Sequence, residues 1–356
     1  MNYKFSDLSI NNITKFEHES LKFVPGINVI IGKNGTGKTH LLKILYTIAK
    51  SSSLANKDKL SFNERINNRI KGIFKIESNG KLIRNFEDKD FTINYKIFDE
   101  DKDFFIQYYA FDQKLVSGFD QNITSIPIEH TFNVTYFPTQ EMITAYSEFI
   151  PFYEKYDVKY DETLYFLAKA LSEPVTREQN EFQKKILAVI RDQLEGTLIK
   201  KGNTFYIKKE TGEIEASMLA EGMKKLATLL YLIENGTITE NSILIWDEPE
   251  IYFNPKLISV LTLILNHLAM SGIQIFMATH DYLLSHQLSL MDEYRSSYSE
   301  EIAEIRFFCL EESEKEGVKV HTGKNLTEIQ NNPILEEFAN HYDKERELFQ
   351  RSMKDE

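Results

Sequence analysis

Nine residues near the start of the chain, Ile31-Gly32-Lys33-Asn34-Gly35-Thr36-Gly37-Lys38-Thr39, follow the apolar run INVI and set three glycines beside two lysines. Gly32, Gly37, Lys38 and Thr39 satisfy the pattern G-x-x-x-x-G-K-[ST], and the loop stands where such a loop works, after a strand and at the opening of a helix. Glycines let the backbone N–H groups of Asn34, Gly35, Thr36 and Gly37 turn inward, and the helix N-terminus adds partial positive charge. An anion of phosphate size fits such a nest. Lys38 would reach the outer phosphates of a nucleotide, and the Thr39 hydroxyl would ligate the magnesium that bridges them.

Strands dominate the text up to about residue 137, where FKIES, KLIRNF, FTINYKIF and FFIQYYAF are rich in aromatic and β-branched residues. The spacing of Leu41, Leu42, Leu45 and Ile48 predicts one helix within this stretch. After about residue 140 the apolar period becomes helical, and a short helical hairpin is expected near 161–171 and 174–195, broken at Ser172-Glu173-Pro174 and stopped at Gly196. A hairpin strand pair, TLIKKGNTFYIKKETGEIEAS, comes next. Helix 219–234, strand 242–246, helix 255–270 and strand 273–278 then alternate, which implies an α/β fold with a largely parallel sheet. RFFCLEES and GVKVHTG read as a closing antiparallel pair, and Asn332-Pro333 as the cap of a final helix.

Two further strand ends carry polar groups. SILIWDEPE delivers Asp247, suited to the magnesium shell, and Glu248, suited to orienting and polarising an attacking water. IQIFMATHD delivers His280, which could contact a terminal phosphate. Acidic residues after a strand also serve as helix caps, and a lone histidine is often structural. The order of phosphate loop, acidic strand end and histidine strand end is the one a nucleotide-hydrolysing sheet requires.

Together these residues resemble the ABC type of P-loop ATPase, in the non-transporter branch that holds the SMC, RecF and OLD proteins. Leu219-Ala220-Glu221-Gly222 stands at the family's signature loop, normally Leu-Ser-Gly-Gly-Gln, and likewise opens a helix. Tyr136-Phe137-Pro138-Thr139-Gln140 resembles the loop whose glutamine touches magnesium and water, although a polar loop leading into a helix accounts for Gln140 equally well. The resemblance implies a single ATPase domain over 1–356, with an N-terminal β-rich lobe (1–137), an inserted helical and signature subdomain (138–235) and a final lobe (236–356). It implies ATP and Mg2+ as cofactors, with Glu248, His280 and Gln140 catalytic and Thr39, Asp247 and Gln140 around the metal. It also implies a head-to-tail dimer in which Ala220, Glu221 and Gly222 close over the other copy's nucleotide. Ala220 departs from the signature serine, so a weaker ATP-driven dimer is expected.

Such stand-alone ATPases occur in bacterial anti-phage systems, which makes a separately encoded effector such as a nuclease the expected partner. No D-x-D pair follows His280 to suggest nuclease chemistry on this chain. A RecF-like or SMC-like ATPase that binds DNA is the alternative. The net charge of −12 argues against general attraction to nucleic acid, and the pairs Lys200-Lys201, Lys208-Lys209 and Lys224-Lys225 are the local patches that keep it open. The single Cys309, in an apolar strand, excludes an internal disulfide. With no apolar run of membrane-spanning length and no leader-like N-terminus, a cytoplasmic location is expected. Phe16 lies where an aromatic that stacks on adenine can sit, but a core aromatic is the better reading of it.

Overall fold

The computed structural model describes residues 3–52, 62–84, 90–99, 102–111, 133–175, 181–313, 317–329 and 331–353. The chain opens with the hairpin β1 (Lys4–Ile13) and β2 (Phe16–Lys22), enters β3 (Ile27–Gly32), turns through the glycine loop and starts α1 (Lys38–Ser52). Next come α2 (Phe62–Phe74), the hairpin β4 (Asp90–Asp99) and β5 (Lys102–Phe111), and the short β6 (Val134–Phe137). A helical segment holds α3 (Tyr146–Lys155), α4 (Glu162–Ser172) and α5 (Glu181–Leu194), followed by a small sheet of β7 (Thr197–Lys201), β8 (Thr204–Lys209) and β9 (Gly212–Glu215). The remainder runs α6 (Glu221–Glu234), β10 (Ile243–Asp247), α7 (Pro255–Met270), β11 (Gln274–Ala278), α8 (Tyr282–Glu293), β12 (Ile305–Ser313), β13 (Gly317–Gly323) and α9 (Pro333–Ser352).

One ten-stranded sheet takes the order β5-β4-β1-β2-β13-β12-β3-β11-β10-β6. From β12 to β6 the neighbours are parallel, and from β5 to β12 they are antiparallel. The parallel half is buried on both faces, as crossover helices require. Ile27, Val29 and Ile31 of β3 join a core with α4 to α8, while Ile30 faces a second core with α1, α2 and β1. Alternate side chains of one strand thus hold two layers of helices apart.

The antiparallel half curls. β1 and β11 stand five places apart in the sheet order, which in a flat sheet would separate them by about 24 Å. Instead the buried Gln274 amide bonds both backbone groups of Phe5, accepting from its N–H and donating to its carbonyl, each at 2.8 Å. The same amide nitrogen donates to Val24 O at 2.9 Å, so the buried polar group is fully paired. This curl folds the N-terminal strands over the helix that follows the phosphate loop.

Two sequence expectations are corrected here. FKIES is not a strand: Phe74 ends α2, and Lys75 turns the chain with a φ of +51°. Ile66, Ile70 and Ile73, all buried, give α2 its inner face, a helical spacing masked by the β-branched residues themselves. Nor do the described residues of KLIRNF, 81–84, form a strand. Residues 79–82 make a short 3-10 turn and Ile83 a single bridge to Ile13, while residues 85–86 lie outside the described residues. The hairpin after residue 196 gains a third strand, β9, and the helix expected over 174–195 begins among described residues at Glu181.

Candidate nucleotide site

The phosphate loop is shaped by its glycines and drawn tight by its lysine. Gly35 takes a φ of +81°, in the left-handed region that side chains rarely adopt. Lys38 folds back on the loop, its Nζ donating to the carbonyls of Gly32 at 2.8 Å and Lys33 at 3.0 Å. Burial lowers its pKa, and the carboxylates of Glu248, Asp247 and Glu250 oppose that shift. A cleft of about 470 Å³ opens over this loop, bounded by Lys38, Thr39, Glu248 and His280, with Lys15 and His40 at its rim. Burial lowers the pKa of His40, and the neighbouring Lys43 and Lys15 add to the effect.

A larger cleft, about 690 Å³, lies between Lys33, Asn34 and Thr36 of the loop and Glu311, Glu312 and Glu336. Its carboxylates would repel a polyphosphate, whereas the smaller cleft, lined by Lys38 and the loop, is the one whose charge suits a phosphate chain.

Parallel register brings the other strand ends to the same edge. Asp247, paired in register with Ala278, ends β10, and His280 follows two residues beyond β11. Asp247 is buried, which raises its pKa, as does the adjacent Glu248, while hydroxyl hydrogen bonds from Thr39 and Tyr136 oppose. The Tyr136 hydroxyl donates to Asp247 Oδ2 at 3.3 Å, while Oδ1 is buried without a hydrogen-bond partner among the described residues. A hydroxyl and a buried carboxylate with a spare oxygen are the hard-oxygen set a magnesium ion takes, with water filling the rest of its shell.

Glu248 adopts a φ of +47°, unusual for a non-glycine residue, and its Oε1 lies 2.9 Å from His280 Nδ1. Two residues on, Glu250 is buried, accepts the Thr279 hydroxyl at 2.6 Å and has its pKa raised chiefly by burial. Asp281 caps α8, accepting from Leu284 N at 2.7 Å. Asn254 caps α7, accepting from Leu257 N at 2.9 Å.

The structure gathers Lys38, Thr39, Asp247, Glu248 and His280 at one edge. Ala220, Glu221 and Gly222 start α6 outside that cleft, and Gln140 is exposed to solvent and lines neither cleft. Ala220 occupies the N-cap of α6 and offers no side-chain bond, so the first amides of that helix carry no such cap. Phe16 is fully buried in the core beneath the loop and offers no face to a base. Sequence reasoning passed over the Tyr136 hydroxyl as a partner of Asp247, although the parallel pairing of β6 with β10 sets Tyr136 opposite Ile245.

The lysine patches are largely consumed internally. Lys200 donates to Leu171 O at 2.8 Å inside a ring of Tyr146, Phe205 and Tyr231, Lys201 pairs with Glu213, Lys209 with Glu195 and Lys224 with Glu221. Lys225 is buried. Cys309 is a free, buried thiol whose pKa burial pushes up to about 12. Among the described residues no helix is long and apolar enough to cross a membrane.

A loop-bearing strand set between β12 and β11, with antiparallel strands curled over the loop helix, is the architecture of ABC-type P-loop ATPase heads, and the chain falls in that class. Residues 27–285 match the model of the family described as "AAA domain, putative AbiEii toxin, Type IV TA system", and the chain belongs to that family. The fold is similar to an Smc head domain from Pyrococcus furiosus with an extended coiled coil, bound to the C-terminal domain of ScpA, at a TM-score of 0.54 and 11% identity over 95% of this chain and 100% of that one. It is similar also to an Smc head bound to the C-winged helix domain of ScpA, at a TM-score of 0.53 and 12% identity over 90% and 97%.

In sequence, the DNA replication and repair protein RecF of Geobacillus thermodenitrificans (strain NG80-2) is 36% identical over 62 residues, and that of Geobacillus kaustophilus (strain HTA426) 39% over 62. Each match spans 17% of this chain and 17% of the relative's length.

Proposed function

We propose that the chain hydrolyses ATP in sites shared between two copies, and that closure of the pair controls a separate effector. One observation carries the reading: Lys38, Glu248 and His280 meet at a single cleft, while the uncapped start of α6 at Ala220 to Gly222 lines no part of it. A helix N-terminus without a capping side chain leaves amides that water satisfies or that an anion brought from elsewhere can take. Head-to-tail pairing would supply it from the other copy's nucleotide.

In this reading the outer phosphates draw Lys38 from the carbonyls of Gly32 and Lys33, and the loop amides of Asn34 to Gly37 take the remaining oxygens. Glu248 exchanges His280 for the attacking water and accepts its hydrogen bond, leaving the imidazole to face the terminal phosphate. Magnesium, when bound, neutralises phosphate charge, and Thr39 and Asp247 would hold it, with Gln140 joining only by moving in from solvent. The effector reading draws on the OLD-like resemblance and on the family's description as a toxin, and it places the chain in bacterial anti-phage defence with an effector such as a nuclease.

Phosphate release and light scattering with and without ATP test the reading. Glu248→Gln should bind ATP, pair and barely turn over, Lys38→Ala should fail to bind, and pull-downs with ATP should retain a second protein. A wild-type protein that stays monomeric with ATP and releases no phosphate would refute it. The short match to RecF supports a second reading, a DNA-binding ATPase, for which ATP-dependent DNA retention falling steeply with salt is the signature.

A further inference from the structure

Lys225 sits one turn into α6, is 1% exposed, and reaches across to the loop after β10, where its Nζ donates to the carbonyl of Glu248 at 3.1 Å. The same carbonyl accepts from Ile251 N at 3.3 Å, and the amide of Glu248 donates to Ala278 O at 2.9 Å. These bonds hold a glutamate whose φ is +47°. Left-handed backbone at such a residue persists only where the surroundings over-determine it.

A buried ammonium is a costly way to fill space, since an apolar side chain of like volume carries no desolvation penalty. Burial pulls the Lys225 pKa down to about 8 against the opposing pull of Glu250, Glu248, Asp247 and Glu221, the carboxylates that face it from the β10 loop and from its own helix. The Tyr252 ring centre lies 5.8 Å from Nζ, and Tyr252 too is left-handed at +74°. The charge therefore sits between the start of α6 and both strained residues of the loop that carries Glu248.

We propose that Lys225 is a positioning residue that holds the Glu248 carboxylate in its working place and ties that place to the position of the Ala220 to Gly222 segment. This rests on the hydrolytic reading above. A shift of the α6 start, such as a second copy's nucleotide would impose, moves Lys225 one turn away and with it the Glu248 carbonyl. Nucleotide binding through Lys38 and the loop amides does not pass through this contact.

The test is phosphate release against ATP concentration for wild type, Lys225→Met, Lys225→Arg and Glu248→Gln, with thermal midpoints measured alongside. Lys225→Met should lower kcat by about 10- to 100-fold with KM within about threefold and a midpoint no lower than wild type. Lys225→Arg should recover most of kcat. Should Lys225→Met not fold, Lys225→Gln gives the same comparison, with kcat reduced at unchanged KM.

An active wild type beside a Lys225→Met or Lys225→Gln variant of unchanged kcat overturns this assignment alone. So does a loss of kcat that tracks a lowered midpoint and is not recovered by arginine. A wild type that releases no more phosphate than Glu248→Gln overturns the hydrolytic reading, and this assignment with it.

Discussion

Gly222→Ala sets two effects of known size against each other. A methyl group there would lie 2.8 Å from both Phe253 Cδ1 and Tyr252 O, and 3.1 Å from Phe253 Cε1. The phenyl edge can swing a little, but Tyr252 O is backbone, in a residue already at a φ of +74°. Overpacking of this kind typically costs about 1 to 3 kcal/mol. The opposing gain, alanine's helix propensity over glycine, is at most about 1 kcal/mol in a helix interior, and Gly222 is only the second residue of α6.

Crowding should win, and urea unfolding should show a net loss of about 1 to 2 kcal/mol. Relief of the clash pushes the Tyr252-Phe253 segment away from α6, so turnover should fall by about tenfold or more. Gly35→Ala, with no atom within 4 Å of the added carbon and a φ of +81°, is the control in which only backbone strain acts. A Gly222→Ala variant more stable than wild type, with unchanged turnover, would refute the reasoning.

Ala220→Ser supplies the missing N-cap of α6, so the nucleotide-free protein should gain about 1 kcal/mol in thermal or urea unfolding; with Glu248→Gln in the background, light scattering should show ATP-driven pairing at lower protein concentration. Tyr136→Phe removes a hydroxyl that donates to Asp247 at 3.3 Å; discounted for that length, about 1 kcal/mol is lost, and magnesium titrations of nucleotide binding should shift about fivefold upward. Lys4 is buried with its ammonium on Gly272 O, and burial lowers its pKa from 10.5 to about 8. Its charged form is thus disfavoured in the fold, a penalty complete below about pH 8 and lost as pH rises toward 10.5. The stability of Lys4→Met relative to wild type, measured in urea, should therefore fall by about 2 kcal/mol between about pH 7.5 and about pH 9.5.

Local chemistry was the legible part of this chain. The glycine loop, the apolar strands ending at Asp247 and Ala278, and the Asn332-Pro333 start of α9 each declare themselves within a few residues, because turn, strand and cap preferences act over that distance. The helix over 62–74 hid behind its isoleucines, whose β-branching weighs toward strand until the spacing of Ile66, Ile70 and Ile73 is followed for two turns. Gln274 with Phe5, Tyr136 with Asp247 and Lys225 with Glu248 join residues 269, 111 and 23 positions apart. Periodicity carries no signal for such pairs, since each is fixed by sheet order and by the curl of the antiparallel half. The placement of Ala220 to Gly222 outside the cleft was likewise invisible in the residues themselves and entered only through resemblance.

The seat of β3 between β11 and β12 has a consequence for synthesis. The phosphate loop follows β3 near the beginning of the chain, yet both strands that flank β3 are formed by residues 274–278 and 305–313. At about 5 to 20 residues per second, a ribosome takes about 15 to 55 seconds between the loop and the last residues that frame it. Until β11 is made, β3 has two open edges and Phe5 has no Gln274 to bond, and until β12 follows one edge stays open. A nascent chain halted before β11 should therefore expose β3 to proteases or chaperones and retain no nucleotide, since the loop, though translated early, lacks its supporting strands until synthesis is nearly through β12.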